Sequence, residues 1–201
     1  MSTTVFLVDD DAAVLKGLRR LLASAGLNVI AFESPQDFLE GLDGDAGGCV
    51  VLDYSMPGLN GLELQQALAA RGSALPVIFL TGKGDIPTSV RAMKDGAVDF
   101  LTKPVDGEVL LAAIRAAIER DRSQRGERAE RTDIERRLAT LTAREREVLR
   151  LVVAGLLNKQ IAAELGTVEK TVKVHRARVM EKMRAGSLAE LVRLAGKGGL
   201  D

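Results

Sequence analysis

The sequence predicts an α/β fold: a doubly wound five-stranded parallel sheet over residues 1–120, joined by a helical linker at 121–139 to a small all-α domain at 140–201. Three observations carry this. Short apolar runs bounded by Gly, Pro and Asp alternate with stretches of helical periodicity, the pattern of buried parallel strands. Four of these runs end in residues that can do chemistry, Asp9-Asp10, Asp53, Thr81 and Lys103, and open α/β sheets gather their sites beyond the carboxyl ends of the strands. Charge then divides the chain: residues 1–120 hold 10 Lys/Arg against 16 Asp/Glu, residues 121–201 hold 18 against 12, so −6 is followed by +6 under a net charge of zero. An acidic first part suits a cation, and a basic second part suits nucleic acid.

The elements follow in order. A strand at 5–8 leads into a helix near 11–25, with Val14, Leu18, Leu21 and Leu22 at helical spacing and Gly26 as its stop. A strand at 27–32 passes through Ser34-Pro35, an N-cap followed by proline at the first helical position, into a helix ending near Gly41. Strands at 49–52, 77–80 and 98–102 alternate with helices near 59–71, 86–95 and 106–120. Five such units make a doubly wound sheet. Cys49 opens an apolar run and reads as core, without chemistry.

Between Glu119 and Arg137 the composition turns to Arg, Glu, Asp, Ser and Gln, with Gly126 the one breaker. Ile134, Leu138 and Leu141 keep helical spacing, so the stretch reads as a solvated helix and not a flexible coil. Too few apolar positions separate Ile118 from Ile134 for a seam between two chains. No apolar stretch is long enough to span a bilayer, and Met1-Ser2-Thr3-Thr4 runs into the first strand without a leader, which predicts a cytoplasmic protein.

Two carboxylates from the first strand and one from the third can hold a hard cation, and such oxygen ligands suit Mg²⁺ while several waters stay bound. Asp53 stands alone on the central strand, before the turn Ser55-Met56-Pro57-Gly58 that would expose it, and a carboxylate can accept a phosphoryl group covalently. Charge building on that group needs counter-charge from a cation and Lys103, with Thr81 as hydroxyl donor. Acids also collect at strand ends because loops are polar, but that reading does not account for all four strand ends together.

Val8-Asp9-Asp10-Asp11, Leu52-Asp53-Tyr54-Ser55-Met56-Pro57-Gly58, Leu80-Thr81-Gly82, Gly96-Ala97-Val98-Asp99-Phe100 and Thr102-Lys103-Pro104 resemble the receiver domain of bacterial two-component response regulators, a flavodoxin-like fold. The whole chain resembles the FixJ-like subfamily. The resemblance implies that Asp53 takes a phosphoryl group from a sensor histidine kinase and that Asp9, Asp10, Asp53 and the Ser55 backbone carbonyl hold Mg²⁺. It further implies that Lys103 and Thr81 contact the phosphoryl oxygens and that the Lys103–Pro104 bond is cis. Phosphorylation adds roughly −1.5 to −2 charge beside Thr81. By the same resemblance Thr81 moves toward it, Phe100 turns inward, and the face formed by 86–95, 98–102 and 106–120 pairs with a second chain, with Val90 and Lys94 as contacts. Phe100 equally reads as a plain core aromatic. Lys83 and Ser55 flank the site and are read as tuning the lifetime of the phosphate.

The basic part opens on its own start signal, Thr142-Ala143-Arg144-Glu145, a capping box. Val148, Leu149, Leu151 and Val152 mark its helix, followed by Gly155; further helices are expected at 158–165, 168–184 and 187–195, with Gly166-Thr167 as the turn of a helix-turn-helix. On the third helix Val168, Val172, Val179 and Met183 are the expected core stripe, Lys170, Lys173, Arg176, Arg178 and Lys182 lie elsewhere, and Val174 is an exposed misfit. A basic face can be merely solvated, but a recognition helix needs bases for phosphates and groups for base edges, including apolar contact with a thymine methyl.

Leu141 through Leu149, Asn158-Lys159-Gln160-Ile161-Ala162 and Thr171-Val172-Lys173-Val174-His175-Arg176 resemble the LuxR-type DNA-binding domain. The resemblance implies that Lys173, Val174 and Arg178 face bases while Lys159, Thr171 and Arg176 hold the backbone. Ala177 stands where some relatives read bases with lysine. His175, the only histidine, has no companion ligands and reads as a helix residue.

The expected function is a phosphorylation-activated transcription factor, an activator by family resemblance. Its dimer sets two recognition helices about 34 Å apart. Its partners are a histidine kinase, promoter DNA and RNA polymerase. It is not an enzyme beyond assisting its own phosphorylation and dephosphorylation. The rival is an aspartate-based, Mg²⁺-dependent phosphotransferase or phosphohydrolase with an accessory DNA-binding domain, but such enzymes commonly carry Asp-x-Asp on the first strand, and this chain has a lone Asp53 on the third.

Overall fold

The structure, a computed structural model, describes residues 3–82 and 86–200, the side chains of 86–88 excepted; Lys83 lies outside the described residues. Five strands, β1 (Thr4–Val8), β2 (Asn28–Phe32), β3 (Gly48–Asp53), β4 (Val77–Thr81) and β5 (Asp99–Thr102), form one parallel sheet in the order β2-β1-β3-β4-β5. Between them run α1 (Ala12–Ser24), α2 (Pro35–Gly41), α3 (Gly61–Ala70) and α4 (Ile86–Lys94), and α5 (Gly107–Ala139) follows β5.

Strand alternation explains the double winding, because successive side chains point to opposite faces. Phe6, Val8, Val50, Leu52 and Phe79 meet Phe38, Leu64 and Leu68 from α2 and α3 on one face. Val5, Leu7, Cys49, Val51, Ile78 and Leu80 meet Leu15, Leu22, Leu110 and Ile114 from α1 and α5 on the other. With both faces covered, the central strands can be apolar throughout, as their sequence demands. Ser34 caps α2 as expected, its hydroxyl accepting from the Asp37 N–H at 3.1 Å. On α1 the apolar stripe rotates slightly from expectation, since Leu15 is buried and Val14 only half-buried.

The 119–137 stretch is helical without a break. α5 runs 33 residues through Gly126 and is solvated over 126–132. Asp121 departs from a solvated face: it is 5 % exposed, and its carboxylate accepts the Gly48 N–H at 2.9 Å. One turn on, Arg125 donates to the carbonyls of Ala46 (2.9 Å) and Asp45 (2.8 Å). Gly48 itself, with φ +134°, lies so close to β1 that a Cβ would stand 1.8 Å from the Thr4 carbonyl oxygen.

The chain divides into two compact units, 1–125 and 126–201. The second contains the end of α5 with α6 (Ala143–Val153), α7 (Asn158–Glu164), α8 (Glu169–Met183) and α9 (Leu188–Lys197). Ile134 and Leu138 of α5, Val148, Leu149, Ile161, Val172, Val179, Met183 and Leu191 form its core. Fully burying such a side chain is worth about 1.5–3 kcal/mol and an exposed ion pair such as Arg131–Glu135 about 0–1, so the cores hold each unit together. Among the described residues no helix is long and apolar enough to cross a membrane.

Candidate functional site

Parallel pairing brings the strand ends of the first unit together. Asp9 follows β1, Asp53 ends β3 opposite Leu80, Thr81 ends β4 opposite Thr102, and Lys103 follows β5. The Lys103 ammonium lies 2.6 Å from Asp9 Oδ2 and 2.7 Å from Asp53 Oδ1. Each acid's other oxygen accepts a backbone N–H, from Asp11 to Asp9 and from Ser55 to Asp53, both at 2.9 Å. Thr81 is fully buried, and its carbonyl accepts the Lys103 N–H at 2.7 Å. The Lys103–Pro104 bond is cis.

The turn after Asp53 does not leave the acid open. Asp53 is 6 % exposed, and the Lys103 ammonium lies between its carboxylate and that of Asp9. Burial raises the Asp9 pKa, and it does so against the opposing pull of Lys103 and the Asp11 N–H. Burial works against the charge on Lys103 as well, but hydrogen bonds to Asp53 and Asp9 outweigh it and its pKa is raised, so the ammonium stays charged. Cys49 is inert as expected: burial, helped by the Asp121 charge, pushes its thiol up to about 12.

The donor set fits Mg²⁺, which is held by one or two carboxylates with most of its waters retained. Asp9 and Asp53 already share one cation between them, and Asp10 lies exposed at the rim. Among the described residues no group of three or more acid, His or Cys side chains converges as an all-protein cage.

In the second unit the capping box forms as read, with Glu145 N–H to Thr142 Oγ1 at 3.2 Å and Thr142 N–H to Glu145 Oε2 at 2.9 Å. Lys173, Val174 and Arg178 are exposed on α8, Lys159 is exposed on α7, and Thr171 and Arg176 are half-buried. Two cations of the basic face are used internally. Lys182 Nζ lies 2.6 Å from Glu145 Oε2, and Arg176 donates to Asn158 Oδ1 at 3.0 Å. Val168 does not join the core stripe: it is 65 % exposed, because it precedes α8 with extended backbone (ψ 151°) and so falls outside the helical period.

Comparison with known proteins decides the family. Residues 5–115 match the response regulator receiver domain, and residues 139–195 match the luxR family of bacterial regulatory proteins. The chain is a two-component response regulator with a LuxR-type DNA-binding domain. Nodulation protein W of Bradyrhizobium diazoefficiens is 48 % identical over 98 % of the chain and 86 % of its own length. The transcriptional regulatory protein FixJ of the same organism is 46 % identical over 98 % and 96 %. Among solved structures, the response regulator StyR superposes with TM-score 0.91 at 47 % identity, covering 98 % of this chain and 100 % of its own. Full-length FixJ of B. japonicum gives 0.61 at 45 %, with both chains wholly covered.

Sequence reasoning passed over several groups that shape this regulator's sites. Tyr54, Phe79 and Phe100 form a triangle of rings, with centroids 6.0 Å (Tyr54–Phe79), 6.2 Å (Tyr54–Phe100) and 6.0 Å (Phe79–Phe100) apart. Phe100 is therefore a half-buried member of an aromatic cluster beside Asp53. Gly61 lets α3 start against the strand that carries Asp53, where a Cβ would come within 2.6 Å of the Asp53 carbonyl. The sequence signal for Tyr54 was its place next to Asp53. For Asp121 there was none, since its partner is a backbone N–H 73 residues away.

Proposed function

We propose that this regulator is switched by phosphorylation of Asp53 and that the switched form pairs with a second copy to bind promoter DNA and activate transcription. The observation that carries the reading is the Lys103 ammonium held 2.7 Å from Asp53 and 2.6 Å from Asp9. An Asp53 oxygen attacks the phosphorus of a phosphohistidine on a sensor kinase, the P–N bond breaks, the imidazole leaves and an acyl phosphate forms. Lys103 offsets the charge on the transferring oxygens, in a pocket dry enough for that charge to count. Asp9, Asp10, Asp53 and the Ser55 backbone carbonyl would hold Mg²⁺, which when bound neutralises charge on the same oxygens. The domain assists only its own phosphorylation and dephosphorylation, with Ser55 beside the acid.

Thr81 then turns its hydroxyl to the phosphoryl group, and Phe100 follows into the space vacated against Tyr54 and Phe79. Val90 and Lys94, both exposed on α4, belong to the face that changes and pairs. Lys173, Val174 and Arg178 meet base edges, while Lys159, Thr171 and Arg176 hold phosphates. The working division is a receiver at 1–120, a helical linker at 121–139 and the DNA-binding domain at 140–201. The partners are a sensor histidine kinase, promoter DNA and RNA polymerase in the cytoplasm.

Sedimentation with Mg²⁺ and beryllofluoride, a phosphoryl mimic, tests the switch. Mass should double for the wild type and not for Asp53→Asn. No change in the wild type, or doubling in both, would remove Asp53-dependent pairing as the mechanism.

A further inference from the structure

We propose that Asn158 is a positioning residue for DNA binding: it fixes the Arg176 guanidinium at the start of α7, where that group meets a DNA phosphate. The inference rests on the reading of the second unit as DNA-binding and adds a residue that acts through Arg176. On α8, Arg176 follows Val172 by four residues and precedes Val179 by three, so it shares their helix face, and both valines are buried. Its stem therefore crosses toward α7, half-buried, and its Nη1 donates to Asn158 Oδ1 at 3.0 Å.

Exposed Lys173 behaves differently. Lys173 pairs 3.2 Å away with Glu169 on its own helix, an exposed contact that a phosphate can displace. Arg176 is tied to a neutral amide, which orients it without cancelling its charge. One of five guanidinium donors is spent on Asn158, leaving others in the planar fork that matches phosphate oxygens. Holding a rotamer-rich side chain in place before binding removes an ordering cost of about 0.5–1.5 kcal/mol, or roughly two- to twelvefold in affinity. Asn158 also precedes exposed Lys159, so the tie brings a second cation to the end of α7 that carries Lys159.

The test uses the full-length protein and a mixed-sequence duplex of ~30 base pairs, titrated by fluorescence anisotropy between roughly 50 and 200 mM salt, since phosphate contacts need no operator. Arg176→Ala should lower the log–log salt slope by about one. Asn158→Ala should weaken binding about threefold to tenfold and lower the slope by a fraction of that, and the double variant should match Arg176→Ala alone. Asn158→Ser, whose hydroxyl sits on a side chain one atom shorter, should behave as Asn158→Ala with unchanged circular dichroism. A purely structural role would leave the slope unaltered. Wild-type binding and slope in both Asn158 variants, or effects that multiply in the double variant, would overturn the proposal, as would an Arg176→Ala protein that binds like the wild type. A wild type that does not bind the duplex would instead overturn the DNA-binding reading on which it stands.

Discussion

Lys103 and Lys182 solve the same problem in the two units: each lets a buried carboxylate keep its charge. Unpaired, such charges would neutralise or cost several kcal/mol. The difference lies in what else touches the acid. At the pocket of Asp9 and Asp53 two acids share one ammonium, and burial still raises the Asp9 pKa. Glu145 accepts from Lys182, which donates also to the Thr140 carbonyl, and from the Thr142 N–H; it is 2 % exposed and is held down at about 2 from an ordinary 4.5. A depressed carboxylate pKa stabilises above the unfolded value, and that stability is lost as pH falls through the folded one. Glu145 should thus contribute stability at neutral pH that fades between pH 4.5 and about 2. Thermal melts of wild type and Glu145→Gln check it: the gap should be wide at neutral pH and close on acidification, and a gap independent of pH would refute the assignment.

Elements were legible where a local pattern dictates them. The strands read out because parallel central strands must be apolar on both faces, and the candidate site residues because the carboxyl edge of such a sheet is where polar groups interrupt those runs. Capping reads out equally well, as at Thr142 and Ser34, because its partners sit three residues apart. What could not be read is contact between distant segments: Asp121 on Gly48, Arg176 on Asn158, and Lys103 bridging Asp9 and Asp53. The boundary of the second unit blurred for the same reason, since Ile134 and Leu138 belong to its core while lying on the linker helix. Two expectations follow for α5. Asp121→Ala should orphan the buried Gly48 N–H and cost about 1–3 kcal/mol, read as a lower denaturant midpoint for the first unit. Gly126→Ala, with nothing within 4 Å of the added carbon, should stabilise the helix by about 0.5–1 kcal/mol, raising melting temperature and helicity.

At the scale of the molecule, α5 supplies side chains to both cores, Leu110 and Ile114 to the first and Ile134 and Leu138 to the second. From 127 to 132 every side chain of this helix is exposed, so none of them adds buried apolar contact to either core. Cooperativity in folding follows buried contact, and a bare helical stretch supplies only weak i,i+4 pairs of about 0.2–0.5 kcal/mol each. Calorimetry of the full chain should therefore show two transitions. Beryllofluoride with Mg²⁺ at ~100 times its Kd should stabilise the first unit alone, by about 2.7 kcal/mol, and duplex DNA should raise only the other transition. If both transitions rise together with the phosphoryl mimic, the continuous helix is itself a coupling element. Gly126, the poorest helix former in that stretch, would then be where the coupling is weakest, and Gly126→Ala should strengthen it.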